Sequence, residues 1–292
     1  MSRETDTIFG RGTIPEPSTP HIGKGVALVA QAPSFVYIYA RIFQIAEMTL
    51  KFLRNTQKRS RMSTSPKPED YGVGWICAVQ TEYVVACESL DEEYPILPTS
   101  SPHDDNVYTL GRIGHHNVVI ACLPKDKYGL TSATSAAKDM LRSFPSIRFG
   151  LMVGIGGGAP SEKHDIRLGD VVVSSPVGRT GGVIHYEFGK TMQNQKFERT
   201  GALDAPPTKL LTALHVVEAL HQRKGHQIAE SVSGMVNRNP RLRRKYQRPR
   251  ADTDRLYHSA FVHPDHDQVC EVVCTGETAQ LVQRDTASGT TR

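Results

Sequence analysis

The chain has 292 residues, 38% of them apolar, and a formal net charge of +5. This is the profile of an ordinary soluble protein, long enough for one large domain or two modest ones with a sizeable core. Its start mixes Arg3, Glu4 and Asp6 with no apolar stretch, so no cleavable secretory signal is expected, and the run at 25–40 is broken by Gln31 and Pro33 and falls short of the roughly 20 apolar residues of a spanning helix.

Residues 1–67 read as an extension. A Gly/Pro/Thr-rich start precedes apolar residues from Phe35 to Leu53 at helical spacing, interrupted by Arg41, Glu47, Lys51 and Arg54, and a basic, polar linker follows. The amphipathic helix expected there suits a membrane surface, a partner or its own chain. Met62 is a second possible start. From 68 onward the pattern is α/β. A buried strand is expected over 71–79, a helix over 81–93 with Glu82 in its first turn, and a strand pair at 107–110 and 117–122. A helix over 131–144, entered through a Gly/Ser/Thr cluster and ended by Pro145, leads to a strand at 149–159. Further strands are expected at 170–174 and 182–188, and helices at 206–224 and 227–237. The tail after 275 lacks apolar periodicity and is expected to fray. Strands alternating with helices imply a mixed or parallel sheet covered by helices.

The most informative stretch is Phe149-Gly-Leu-Met-Val-Gly-Ile-Gly-Gly-Gly-Ala159, in which four glycines (Gly154, Gly156, Gly157, Gly158) fall within five residues at the end of an apolar run. Glycine there permits positive φ and close approach of a ligand to the backbone. The apolar run at 170–174 follows after a short loop, so the glycines lie between two expected strands. They do not open a helix, which separates them from the dinucleotide fingerprint.

Cys77, Cys87, Cys122, Cys270 and Cys274 are odd in number and lie mostly in apolar runs, which points to buried thiols in a reducing, cytoplasmic compartment without disulfides. His263, His266, Cys270 and Cys274 have spacings that zinc could use, yet tight Cys-x-x-Cys pairs are missing and Pro264, Asp265 and Asp267 suggest a loop, so no metal is assigned. Arg238, Arg241, Arg243, Arg244, Lys245, Arg248 and Arg250 form a basic window that reads either as a solvated helix face or as a phosphate-binding surface. Its aromatic residues are limited to Tyr246 and Tyr257, a poor fit to single-stranded nucleic acid. His185, Tyr186 and Phe188 suit the wall of a base pocket and a core strand equally.

The ordered motifs at 71–82, 108–114, 150–158 and 165–174 together resemble the purine and uridine phosphorylase superfamily, and more narrowly the nucleoside-phosphorylase-like domain at the front of many fungal multidomain proteins. The resemblance runs from about 68 to about 274. It implies a three-layer α/β/α sandwich around a mixed sheet, often oligomeric, that needs no cofactor. The implied chemistry is cleavage of an N-glycosidic bond through an oxocarbenium-like sugar, with phosphate or water as nucleophile. Glu82 stands where the hydrolytic branch places the carboxylate that polarises water; the bland alternative is a helix first-turn glutamate favoured by the dipole. Gly154, Ile155, Gly156 and Gly157 match the loop lining the sugar and nucleophile pocket. Gly129, Thr131 and Ser132 match the turn whose amides and hydroxyls approach the nucleophile, or else a plain N-cap. Arg243 and Arg244 are candidates for the phosphate of a nucleotide.

Three departures refine this reading. Phosphorylases carry an arginine and a serine or threonine where this chain has Met152 and Ile155, so phosphate loses a charge-assisted bond worth roughly 1.5–3 kcal/mol, which favours water. The family's ribose-gripping Glu-Met-Glu-type element and its base-protonating aspartate have no counterpart after Cys274, so the resemblance implies a domain lacking its carboxyl-terminal part and left with an open edge. The expected ligand is therefore a purine nucleoside or nucleotide, cleaved preferentially by water. The alternative is an inactive domain that binds nucleotide or another subunit.

Overall fold

The computed structural model describes residues 66–284 except 98–101, 159, 162–163, 179, 185–187, 194–196, 201–202, 248–253, 266, 269 and 275–277. The expected amphipathic helix, His185 with Tyr186, His266, and Arg248 with Arg250 lie outside the described residues. Among those described, no helix is long and apolar enough to cross a membrane.

The architecture is α/β, with a five-stranded mixed sheet flanked by helices. Strand β1 (Val73–Cys77) lies between two parallel partners, β4 (His116–Cys122) and β5 (Phe149–Met152), while β2 (Glu92–Tyr94) and β3 (Tyr108–Ile113) extend the sheet antiparallel beyond β4 in the order β2-β3-β4-β1-β5. A strand paired on both sides and covered on both faces must be apolar throughout. Val73 and Trp75, the single tryptophan, bury one face of β1. On that face helix α1 (Gln80–Glu88) is joined, beyond the α3 helix Thr208–Lys224, by α4 (Ile228–Arg238) and α5 (Pro240–Tyr246), whose Ile228, Val232, Met235 and Tyr246 pack with Trp75, Val85 and Ile120. The opposite face is covered by helix α2 (Leu130–Ser143), where Met140 and the following Phe144 meet Tyr71, Tyr108 and Leu110. Phe144 stands edge-on to Tyr71 at 5.3 Å and to Tyr108 at 5.1 Å, an arrangement favoured by the ring quadrupoles. Two helical layers around one sheet make the three-layer sandwich that the sequence suggests.

Several expectations are corrected. Helix α1 ends at Glu88 and does not reach 93. The Ser89 hydroxyl donates to the Val85 carbonyl at 2.6 Å and the Ser89 amide closes the last turn. Glu92 and Glu93 then fall on edge strand β2, exposed, where charge discourages further pairing. Residues 170–174, expected as a strand, are half-buried and join no ladder among the described residues. Alternating apolar residues set an extended tendency, but a strand also needs a backbone partner. Here the chain turns first, with the Asp170 amide donating to the Arg167 carbonyl at 3.0 Å and the Arg167 amide to the Asp170 carboxylate at 2.9 Å. Around the expected strand at 182–188, Gly182, Val183, Ile184 and Phe188 are not in a strand; a small hairpin instead joins β6 (Gly189–Thr191) to β7 (Phe197–Arg199).

The segment 278–284, expected to fray, is tied down. Leu281 bridges Tyr257, and the Arg284 guanidinium donates to Asp165 at 2.8 Å, to Asp254 at 3.3 Å and to the Ile166 carbonyl at 2.6 Å. Partial burial pushes the Asp165 carboxyl up, but hydrogen bonds and charge from Arg167 and Arg284 outweigh it and hold the group below the ordinary carboxylate value. A carboxyl depressed in the folded state stabilises above its unfolded pKa, about 4, and loses that contribution as pH falls through the folded value. Arg284→Ala is expected to cost on the order of 1–2 kcal/mol at pH 7. Urea midpoints compared at pH 7, 5 and 3 will show the difference from wild type shrinking below about pH 4.

Candidate functional site

The three parallel strands end together at Cys122, Cys77 and Met152. From β1 the chain passes through α1 to the β4 side; from β4 it passes through α2, on the opposite face, to β5 on the other side of β1. The two connections diverge at the carboxyl ends of β1 and β4, the place where doubly wound sheets usually take their ligands. The segments leaving these strand ends, 78–82, 123–132 and 153–157, contain Glu82, Gly129, Thr131, Ser132 and the glycine loop.

Glu82, only 4% exposed, holds the corner together. Its Oε2 accepts the Ala78 amide at 2.5 Å and the Val79 amide at 3.1 Å, and its Oε1 accepts the Ile155 amide at 2.8 Å. The first two bonds satisfy donors at the start of α1, as in half of a capping box. The third joins the β1–α1 turn to the glycine loop. Gly154 is a glycine because of this carboxylate: a Cβ there would lie 2.7 Å from Glu82 Oε1 and 3.1 Å from Cδ. Neither Gly154 nor Gly158 has a positive φ, so close approach is the reason for glycine at both; at Gly158 the neighbour is Ile166, 2.6 Å from a would-be Cβ. Gly156 and Gly157 continue the loop, half-buried.

Apolar character at the two departures persists in space. Met152 is 61% exposed at the end of edge strand β5, whereas Ile155 packs its side chain against the core and its amide is held by Glu82. Cys77 and Cys122, register partners at the ends of β1 and β4, have thiols pushed up by burial first and by the Glu82 charge next. They are protonated at neutral pH and act as packing groups, not nucleophiles.

Gly129, with φ 99°, stands at the N-cap of helix α2, and no side chain caps the helix. Thr131 and Ser132 therefore are not its N-cap, and the first-turn amides carry no side-chain acceptor. A shallow, open depression of about 420 Å³ runs along α2, lined by Leu130, Thr131, Thr134, Ser135, Lys138 and Asp139. It is lined by neither Glu82 nor the glycine loop, so Thr131 is placed on this outer surface. Arg243 and Arg244 are exposed on α5, and the structure gives them no contact with the glycine loop. Among the described residues no group of three or more His, Cys, Asp or Glu side chains is placed to hold a metal.

Residues 81 and 246 meet in a way that the basic window did not signal: Tyr246 is buried, and its hydroxyl interacts with Thr81, the neighbour of Glu82. Asn239, at the other end of α5, donates to Glu88 Oε1 at 3.0 Å. Helix α5 thus runs back along α1 from its carboxyl to its amino end. The 3.6-residue spacing of Leu242 and Tyr246, both turned toward the core, was the one available hint.

Against known proteins, the chain is 49% identical over 181 residues to a nucleotide-binding leucine-rich repeat (NLR)-like protein of Hyaloscypha variabilis. The chain is homologous to part of a fungal NLR-like protein. The match takes in 62% of this chain and 18% of that protein, so it spans less than a fifth of the relative. No family model matches the chain, and no solved structure matches it.

Proposed function

We propose that this domain hydrolyses the N-glycosidic bond of a purine nucleoside or nucleotide. The observation that carries the reading is the Glu82 carboxylate, joined to the Ile155 amide at 2.8 Å across a glycine that leaves room for it, at the carboxyl ends of the parallel strands. An ionised carboxylate has about four acceptor positions; three are filled, and the remaining one suits a proton of an attacking water. The uncapped start of α2 supplies N–H groups and the positive end of a helix dipole at the same end of the sheet. Met152 and Ile155 offer a phosphate dianion neither a cation nor a hydroxyl, which favours water over phosphate.

A second reading has its own support. Three backbone amides on one buried carboxylate are also what an anchoring residue needs, and the homologous segment belongs to a much longer protein named for nucleotide binding and leucine-rich repeats. On that reading the domain binds a nucleotide or a neighbouring subunit without turnover. Release of free base from nucleosides and nucleotides by the purified chain, with and without inorganic phosphate, separates the two. Phosphate-independent release is expected. Release that requires phosphate overturns the preference for water, and no release from a folded chain leaves the binding module.

A further inference from the structure

The glycine loop is held at two points. At its start the Ile155 amide donates to Glu82 Oε1 at 2.8 Å. At its end the Ile166 side chain lies against Gly158, so closely that a Cβ there would come within 2.6 Å of Ile166 Cγ2. Between the two contacts stand Gly156 and Gly157. Glycine loses more conformational freedom on ordering than any other residue, so such a segment keeps one shape only while both of its ends are restrained.

Ile166 is itself fixed from outside the loop. Its carbonyl accepts from Arg284 Nη2 at 2.6 Å, and the preceding Asp165 is gripped on both carboxylate oxygens, Oδ1 by Arg284 at 2.8 Å and Oδ2 by Arg167 at 2.6 Å. The Arg284 side chain, 12% exposed, also reaches Asp254 at 3.3 Å. The segment that carries this arginine is docked along its length: Leu281 bridges Tyr257, the Val282 amide donates to the Leu256 carbonyl at 2.8 Å, and the His258 amide donates to the Gln280 carbonyl at 2.9 Å. A planar guanidinium with donors on three nitrogens can serve two carboxylates and a carbonyl at once through charge-assisted bonds, which a lysine ammonium cannot match in geometry.

We propose that 278–284 is a strap that sets the shape of the glycine loop, with Arg284 as a positioning residue that acts through Ile166 on Gly158. The coupling runs both ways. A ligand that orders the loop tightens the strap, and anything that draws Arg284 away loosens the loop and, through Ile155, its bond to Glu82. No turnover is required, so the strap serves a hydrolase and a binding module alike.

The test is amide hydrogen exchange of the full chain, read by mass spectrometry on peptides spanning 153–158, 278–284 and 91–94. In Arg284→Ala the loop peptide 153–158 is expected to exchange about tenfold faster than in the wild type or more, while 91–94, at the far edge of the sheet, exchanges as before. Ile166→Ala removes the side chain over Gly158 and leaves Arg284 its three acceptors, Asp165, Asp254 and the carbonyl of residue 166. It is expected to free the loop with 278–284 still protected. Should Arg284→Ala fail to fold, Arg284→Lys, which keeps the charge and loses the fork, takes its place with the same expectation. A loop as protected in the Arg284 variant as in the wild type overturns the proposal. So does equal acceleration at 153–158 and 91–94, which marks a general loss of stability, and so does wild-type protection of the loop in Ile166→Ala, which removes the route through Gly158. Base release enters none of these readouts, so failure here leaves the hydrolytic reading to its own assay.

Discussion

Glu82→Ala is expected to be the most damaging single substitution in the domain, costing on the order of 3–5 kcal/mol. It strands the amides of Ala78, Val79 and Ile155 in a corner where the side chain is 4% exposed. Against the roughly 5–15 kcal/mol that holds a domain folded, this is a large share. Glu82→Gln is milder and more informative. A carboxamide has one acceptor oxygen and one donor end, so either the two turn amides or the loop amide faces an N–H group, at about 1–3 kcal/mol. Denaturant unfolding will measure both costs. Base release assayed on folded Glu82→Gln is expected to vanish; full retention would remove Glu82 from the chemistry and leave it an anchor.

Gly154→Ala tests the same corner from the opposite side. The added methyl would lie 2.7 Å from Glu82 Oε1 and 3.4 Å from Oε2, so the carboxylate must move and its bond to Ile155 must lengthen or break. An overpacked site of this kind costs about 1–3 kcal/mol. Base release is expected to fall by at least tenfold, on the order of 1.4 kcal/mol in the barrier, with the fold retained. Gly150, four residues earlier in the same apolar run, has nothing within 4 Å of its would-be Cβ. Gly150→Ala is therefore expected to change stability by no more than about 0.5 kcal/mol and activity not at all. Matching losses at both positions in melting and turnover measurements would show that the loop reports strand strain and not the Glu82 contact.

The sheet was legible in the sequence where periodicity and burial coincide. The continuous apolar run around Trp75, the pair β3 and β4, and the helices α2 and α4 form close to where they are expected, and each buries apolar residues against the sheet. Boundaries failed where a side chain intervened, as with Ser89 closing α1. The stretch 170–174 failed for a different reason: an extended apolar run does not say which backbone will pair with it. Glu82 was visible as a first-turn glutamate and as a motif match. Its bond to Ile155, 73 residues away, was not, since no local pattern encodes it. The Arg284 tie to Asp165, across 119 residues, lies in a segment with no periodicity at all, and only the folded chain discloses it.

The position of β1 also bears on how the domain assembles. Strands β3 and β4 are joined by a tight turn and can pair early at little entropic cost, whereas β1 is hydrogen-bonded to two strands that both follow it by dozens of residues. Its capture on both sides closes long loops, the slow kind of step in folding. Trp75 lies on that strand and is the chain's single tryptophan, so the protein carries its own optical reporter of the moment at which the middle of the sheet is completed.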